Sequence, residues 1–495
     1  MKQERENSFT DSGALCESLN AKWRELCGRY LPIAPPGSIW RYSRESYSDD
    51  PGQGWKLHLA ASVLTAAEAL QRVAPFLRCR NALYKAPVAL DELGKLNSGI
   101  HYGYSQVGKF LTIYPRTNRE ALQLARKLHK LTCRMAAPSV PFDLRYRSDS
   151  CIFYRYGAFR PLDNGDQDDE RTHVIRDPSG NLVPDIRNSE KPPTWALDPF
   201  VRNGAHATAN TNARSAITPL QTTYKAFRAL AQRGKGGVYQ AVDLSTAPPR
   251  LCVLKEGRRN GETSWDARDG FWRVRYEKQV LTSLLNAGIK VPAMYSAFQT
   301  ESNYFVALEF IEGENIEKYL LRRERKLTIA AALKRSIQAA LLLSGIHKAG
   351  WVWRDCKPRN LILTDKGELR PIDFEGACRI DRPDPEPWGT PAYAPPEWDA
   401  EFRGQSRLPE DLYSLGVLIH ILFTGRPPKT SPAPRIGMLR RHVPDGVSAL
   451  VAELHDPDPH RRPCAESVVE RLRLELDALP CLHPQTRLSL RRARR

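Results

Sequence analysis

The sequence predicts a multidomain α+β protein, and three observations carry that expectation. At 495 residues the chain exceeds the roughly 250–300 residues at which a single hydrophobic core stops growing. Its 41% hydrophobic and 9% aromatic content suffices for packed cores and argues against a disordered chain. In the front half, strand-like segments with a period of two alternate with helix-like segments. Composition and pattern divide the chain into an N-terminal extension (1–37), a first domain (38–200), a linker rich in Asn, Ala, Thr and Arg (201–222), a second domain (223–478) and a basic tail (479–495).

The formal net charge of +18 favours an anionic partner. The excess is dispersed, apart from Arg487, Arg491, Arg492, Arg494 and Arg495 in the tail, which speaks against a dedicated nucleic-acid site. Ten cysteines occur without a C-x-x-C pair, so neither a zinc site nor a disulfide framework is expected. The N-terminus is polar and no apolar run approaches the ~20 residues of a membrane span. A cytoplasmic protein without membrane partners is the expectation.

The second domain carries its motifs in order. Tyr224 to Lys255 reads as a hairpin-rich sheet whose turn holds Gly234, Gly236, Gly237 and Val238; glycines there would let backbone approach phosphates. The next strand ends on Lys255, and Glu277 follows 22 residues later in a helical run. Phe305 to Gly313 is an apolar strand breaking into a polar turn at Glu309, a position that resembles the hinge at which protein kinases present backbone groups to an adenine ring. Then comes Trp353-Arg354-Asp355-Cys356-Lys357-Pro358-Arg359-Asn360, followed by Ile372-Asp373-Phe374. Asp355 would orient a hydroxyl, Lys357 would neutralise a transferring phosphate, and Asn360 and Asp373 would hold Mg²⁺. Gly389 to Glu397, Asp411 and Arg462 complete the set, with Arg462 placed to pair with Glu397.

This order and spacing resemble the two-lobed eukaryotic-like protein-kinase fold. The resemblance implies ATP or GTP as the nucleotide. Two positions depart from it: Trp353 replaces the usual His, and Glu375 replaces the Gly after Asp373-Phe374. A pseudokinase that only binds is the competing reading. Retention of every residue with a direct chemical role favours an active enzyme.

In the first domain, Trp55-Lys56-Leu57-His58-Leu59 alternates, placing Lys56 and His58 on one face and Trp55, Leu57 and Leu59 on the other. Further strands are expected at 81–85, 108–115, 145–147 and 153–157, separated by helices at 66–78 and 119–132. Each carries Lys, His or Arg near aromatics. On spacing alone this is a solvated sheet face with snorkelling cations, or an anion- or nucleic-acid-binding sheet.

The wording of these strands, with Tyr84-Lys85, Gly108-Lys109-Phe110-Leu111-Thr112-Ile113-Tyr114-Pro115, Tyr154-Arg155-Tyr156-Gly157 and Val183-Pro184-Asp185, resembles the lyase domain of class III and IV lanthipeptide synthetases. That domain is phosphothreonine-lyase-like, and in those enzymes a kinase domain follows. The resemblance implies a bifunctional dehydratase: Ser or Thr of a precursor peptide is phosphorylated, and phosphate is then removed by β-elimination. It makes Lys85 the base and His58 the acid, with Lys56, Lys109 and Arg155 gripping phosphate and Arg145 or Arg147 as helpers. The family's C-terminal cyclase is expected to be missing, which would leave ring closure to a separate cyclase. The alternative is a regulatory Ser/Thr kinase whose first domain binds phosphopeptides without catalysis.

Overall fold

The computed structural model describes residues 12–160, 174–201, 219–323, 325–399, 404–428 and 435–479. Residues 1–11, nearly all of the expected linker and the basic tail from 480 onward lie outside the described residues. The chain packs as two units: Met1–Arg275 with Ser296–Ala307, and Tyr276–Tyr295 with Leu308–Arg495.

The first unit opens with helix α1 (Ser12–Tyr30). Strands β1 (Trp40–Tyr42), β2 (Gln53–Leu59), β3 (Leu83–Pro87), β4 (Leu111–Tyr114), β5 (Leu144–Arg145) and β6 (Ile152–Ala158) form a six-stranded antiparallel sheet in the order β1-β3-β4-β2-β6-β5. Helices α2 (Ala66–Cys79), α3 (Leu90–Ser98) and α4 (Asn118–Thr132) connect these strands. Alternation decides the two faces. Trp55, Leu57, Leu59, Tyr84, Leu111, Ile113, Ile152 and Tyr154 point into one core with the apolar stripes of α2 and α4. Helix α4 starts at Thr117, whose side chain accepts from the Glu120 N–H, while Glu120 reaches back to the Arg116 N–H at 2.7 Å, a paired arrangement akin to a capping box.

Helix α1 joins this core through Trp23, Leu26, Cys27 and Tyr30, and Trp23 lies 5.6 Å from the Phe110 ring. The segment read as an extension is therefore part of the sheet's packing.

The same unit continues with a short hairpin, β7 (Val174–Arg176) and β8 (Leu182–Pro184), and then β9 (Tyr224–Arg233), β10 (Gly236–Asp243) and β11 (Arg250–Arg258). These last three join β12 (Met294–Gln299) and β13 (Asn303–Glu309) in a five-stranded sheet, order β12-β13-β11-β10-β9.

The second unit is mainly helical. Helix Ile329–Lys348, capped by Thr328, buries Leu333, Ile337, Leu343 and Ile346, and helix Leu408–Thr424, buried from Glu410 onward, supplies Leu415, Leu418 and Leu422. Among the described residues Ile329–Lys348 is the one helix long and apolar enough to cross a membrane by length and composition. It also carries Lys334 and Arg335 within its length. Asp411, fully buried, accepts the backbone N–H groups of Trp353 (2.7 Å) and Arg354 (2.6 Å), so helix Leu408–Thr424 fixes the loop that carries Asp355. Arg462 and Glu397 form the expected pair, with Nη2 donating to Oε2 at 2.7 Å.

Candidate functional site

Register brings the cations of the first unit to one sheet face. Lys85 on β3 and His58 on β2 both stand opposite Thr112 of β4, and Lys56 stands opposite Arg155 of β6. Directly opposed residues share a face, which is the one turned away from the core. Lys56, His58, Lys109 and Arg155 are all buried, and Lys85 is half-buried.

Buried cations need partners or must lose charge. Two acids that sequence reasoning missed supply partners. Asp143 is buried between His58 and Lys109: its Oδ2 makes a very short contact with His58 Nδ1, and its Oδ1 lies 3.5 Å from Lys109 Nζ. Asp185 accepts from Arg155 Nη2 at 2.7 Å and from the Ala158 N–H at 3.3 Å. Lys56 donates to the Ala158 carbonyl at 2.7 Å. Arg187, also missed, lies 3.5 Å from Asp185, and its Nε is buried without a hydrogen-bond partner. Asp185 belonged to a motif already singled out. Asp143 follows Phe142, whose φ is +62°, and no local pattern marks it.

The electrostatics divide roles. Burial, with Arg187 and Lys109 nearby, brings the Lys85 ammonium down to about 8. Burial and then Arg155 hold Lys56 well below its ordinary value. Burial depresses Lys109 as well, against the pull of Asp143. Burial also takes His58 down to about 4, although Asp143 works to raise it. Burial pushes Asp143 up, but His58 and Lys109 outweigh that and hold it at about 2. At neutral pH His58 is therefore a neutral imidazole donating Nδ1–H to an ionised Asp143, and a second negative charge at the site would favour its protonation. Asp143→Asn is expected to push His58 below about 4, since it removes the groups that raise it. NMR titration of His58 reads this directly, and an upward movement would contradict the arrangement.

Arg145 stacks over the Phe153 ring and bonds Ser139 and Ser148, while Arg147 is exposed over the Tyr146 ring. Neither is bonded to Lys56, His58, Lys109 or Arg155. Lys85 Nζ lies 4.1 Å from the centroid of the Trp40 ring.

Also in the first unit, Lys255 and Val238 are directly opposed on β11 and β10, so their side chains share a face. The turn Gly234-Lys235 has a second neighbour: the Gly234 N–H donates to the Ser98 carbonyl at the end of α3, 3.0 Å away. A Cβ on Gly234 would stand 1.6 Å from the Asn97 carbonyl oxygen. This glycine is required by close backbone approach, which the motif reading ascribed to phosphates.

In the second unit, Lys357 Nζ donates to both Asp355 oxygens (2.9 and 2.7 Å) and to Thr390 Oγ1 (2.8 Å). Asn360 Nδ2 donates to Asp355 Oδ2 at 2.8 Å and to its carbonyl at 3.1 Å, which leaves the Asn360 amide oxygen for a cation. Burial raises Asp355, Lys357 opposes this, and the charge of Asp373 adds to it. Two carboxylates that disfavour each other's charge, with an amide oxygen beside them, suit a hard divalent cation. Glu277 accepts the Phe374 N–H at 2.9 Å. The Glu309 carboxylate is held by the Ala293 N–H (3.0 Å) and Arg370 (2.9 Å), so any contact with a base comes through its backbone.

The Trp353 departure has a structural reason. Trp353 Nε1 donates to the Asp373 carbonyl at 3.0 Å, and its ring stacks on Phe374 with centroids 5.3 Å apart. The indole thus fixes the Asp373-Phe374 backbone. Glu375 is buried, and the glycine that follows it, Gly376, packs so closely that a Cβ would meet Trp388 Nε1 at 1.7 Å.

Comparison with known proteins agrees with this geometry. A protein kinase domain model matches residues 224–491, more than half of the chain. The chain belongs to the protein kinase family. Ahead of this kinase domain, a RamC N-terminal domain model matches residues 34–212. A probable SapB synthase of Streptomyces coelicolor is 28% identical over 426 residues, 84% of this chain and 43% of that protein. Serine/threonine-protein kinase PkaA of the same organism is 33% identical over 191 residues, 35% of this chain and 34% of its own. Serine/threonine-protein kinase PknA of a Nostoc species is 29% identical over 224 residues, covering 42% and 38%. The chain spans less than half the length of these curated relatives.

Proposed function

We propose that this kinase-family chain is a bifunctional peptide dehydratase. It phosphorylates Ser or Thr of a ribosomally made precursor peptide and then eliminates the phosphate. The observation that carries the second step is the buried cation face of Lys56, His58, Lys109 and Arg155 around a Lys85 depressed to about 8. An ordinary regulatory kinase has no use for such a face.

In the transfer step Asp355 orients the attacking hydroxyl and Lys357 offsets charge on the phosphoryl oxygens. Asn360 and Asp373 would hold Mg²⁺, which with ATP or GTP supplies charge neutralisation and the phosphoryl group. Lys255 and Glu277 are the residues that kinases use to hold the nucleotide's phosphates.

In the elimination step neutral Lys85 takes the α-proton. The C–H electron pair becomes the new Cα–Cβ double bond, and the Cβ–O bond breaks. Phosphate leaves, and His58, protonated beside the dianion, donates to the departing oxygen. Lys56, Lys109 and Arg155 hold the phosphate through charge-assisted contacts, with Arg187 beside them. Phosphoserine gives dehydroalanine and phosphothreonine gives dehydrobutyrine.

The test is mass spectrometry of a Ser/Thr precursor peptide incubated with the protein, nucleotide and Mg²⁺. Loss of one water per modified residue is expected. Stable phosphate gain alone would leave only a kinase with a phosphopeptide-binding first domain. No change at all would leave an adaptor.

A further inference from the structure

Arg354, immediately before Asp355, is buried, and its side chain reaches the stretch 384–386 of the segment that runs from Asp373 to Glu397. Its Nε donates to Glu410 Oε2 at 3.2 Å, its Nη2 to the Glu386 carbonyl, and its Nη1 lies 3.6 Å from Asp384. Glu410 is itself buried, and its other oxygen accepts from Arg407 Nη1 at 2.7 Å. Arg407 then donates to the carbonyls of Asp384 (2.8 Å) and Pro385 (2.7 Å). Two guanidiniums, Arg354 and Arg407, thus meet two carboxylates, Glu410 and Asp384, and both guanidiniums grip the same three-residue stretch.

Where a kinase's activation segment is ordered by phosphorylation, a phosphate dianion pairs with arginine and draws the segment into place. Here the two negative charges are built in. The sequence agrees independently: between Asp373 and Thr390 there is no Ser, Thr or Tyr to phosphorylate. Thr390 itself already has a different task, since its hydroxyl accepts from Lys357 at 2.8 Å and lies 3.3 Å from Asp355 Oδ1.

We propose that Glu410, supported by Arg407, is a positioning residue that takes the place of an activation-segment phosphate, so that the Asp355 loop is assembled without any phosphorylation of this chain. Glu410 acts through Arg354: it neutralises the guanidinium and ties it to residues 384–386, and Arg354 in turn adjoins Asp355. The segment then has no off state governed by a second kinase. This suits an enzyme whose work is synthetic rather than signalling.

The inference rests on the kinase half of the proposed function, and two measurements keep the two apart. The full-length protein is treated with a broad-specificity phosphatase, its intact mass is read, and transfer to a Ser/Thr peptide is timed before and after. The expected result is an unmodified segment and a rate changed by less than about twofold. A tenfold or greater loss on dephosphorylation of Thr390 or Tyr393 overturns the inference. Absence of transfer from the untreated protein would instead overturn the kinase reading. Second, Glu410→Gln keeps the shape and removes the charge. Its kcat for phosphate transfer should fall by ~10-fold or more with KM for nucleotide little changed, and Glu410→Asp should recover part of it. A folded Glu410→Gln variant with the native kcat, confirmed by an unshifted melting profile, would also overturn it.

Discussion

Lys85→Ala is expected to turn the end product from a dehydrated peptide into a phosphopeptide, with elimination slowed by ~10²–10⁴-fold and phosphate transfer untouched. The argument begins with acidity. The α-proton of a peptide residue is weakly acidic, so a lysine that accepts it must first be neutral. An ordinary lysine is almost wholly protonated at neutral pH. Burial, Arg187 and Lys109 bring Lys85 down to about 8, which makes the neutral form available. The sign follows. Below that value the neutral fraction falls tenfold per pH unit, so kcat/KM for a pre-phosphorylated peptide should climb with pH and level off near 8. Lys109→Met removes one of the cations that depress Lys85 and should move the limb upward. The same depression has a stability consequence: the unfolded chain keeps this proton to about 10.5 but the folded one only to about 8, so this group's contribution rises with pH across that window. Unimpaired dehydration by Lys85→Ala would place the base on another residue.

Much of the first unit was legible because one sheet face is apolar and the other carries the cations. Period-two alternation sends Lys56 and His58 one way and Trp55, Leu57 and Leu59 the other, and the core holds those three apolar side chains. A slip of one residue would reverse this. The acids were not legible. Asp143 and Asp185 reach their cations across 85 and 30 residues of sequence, a separation that no local period encodes. Arg187 was missed for the same reason: it lies just past a short hairpin, and only tertiary folding brings it beside Asp185. The packing of α1 was equally hidden, because its apolar residues are few and their partner, Phe110, lies far along the chain.

The kinase half was legible as an ordered set of motifs but not in its supports. Trp353 stood out only as a departure from the usual His; the structure gives it a hydrogen bond and a stack that hold Asp373-Phe374. Gly234 looked like a phosphate contact, whereas its lack of a Cβ is demanded by Asn97 in the first domain's α3. Motif matching sees that a glycine is present, not which neighbour requires it.

Asp355→Asn separates the two chemistries at the other end. The substitution keeps the volume of the side chain and removes the charge that Lys357, Asn360 and Thr390 all address. An amide NH₂ there would also point a donor at groups that already donate, so the loop loses both its base and its order. Transfer of phosphate should fall by ~10³-fold or more, and no dehydrated product should form from an unmodified peptide. Given the same peptide already phosphorylated, Asp355→Asn should eliminate at the native rate, because Lys56, His58, Lys85, Lys109, Arg155 and their acids all belong to the first unit. That rescue is the sharper half of the experiment. A kinase merely linked to a binding domain would leave the phosphopeptide unchanged, and a single shared active site would lose both steps at once. Only two sites that hand a phosphate from installation to removal predict loss of the first step with full retention of the second.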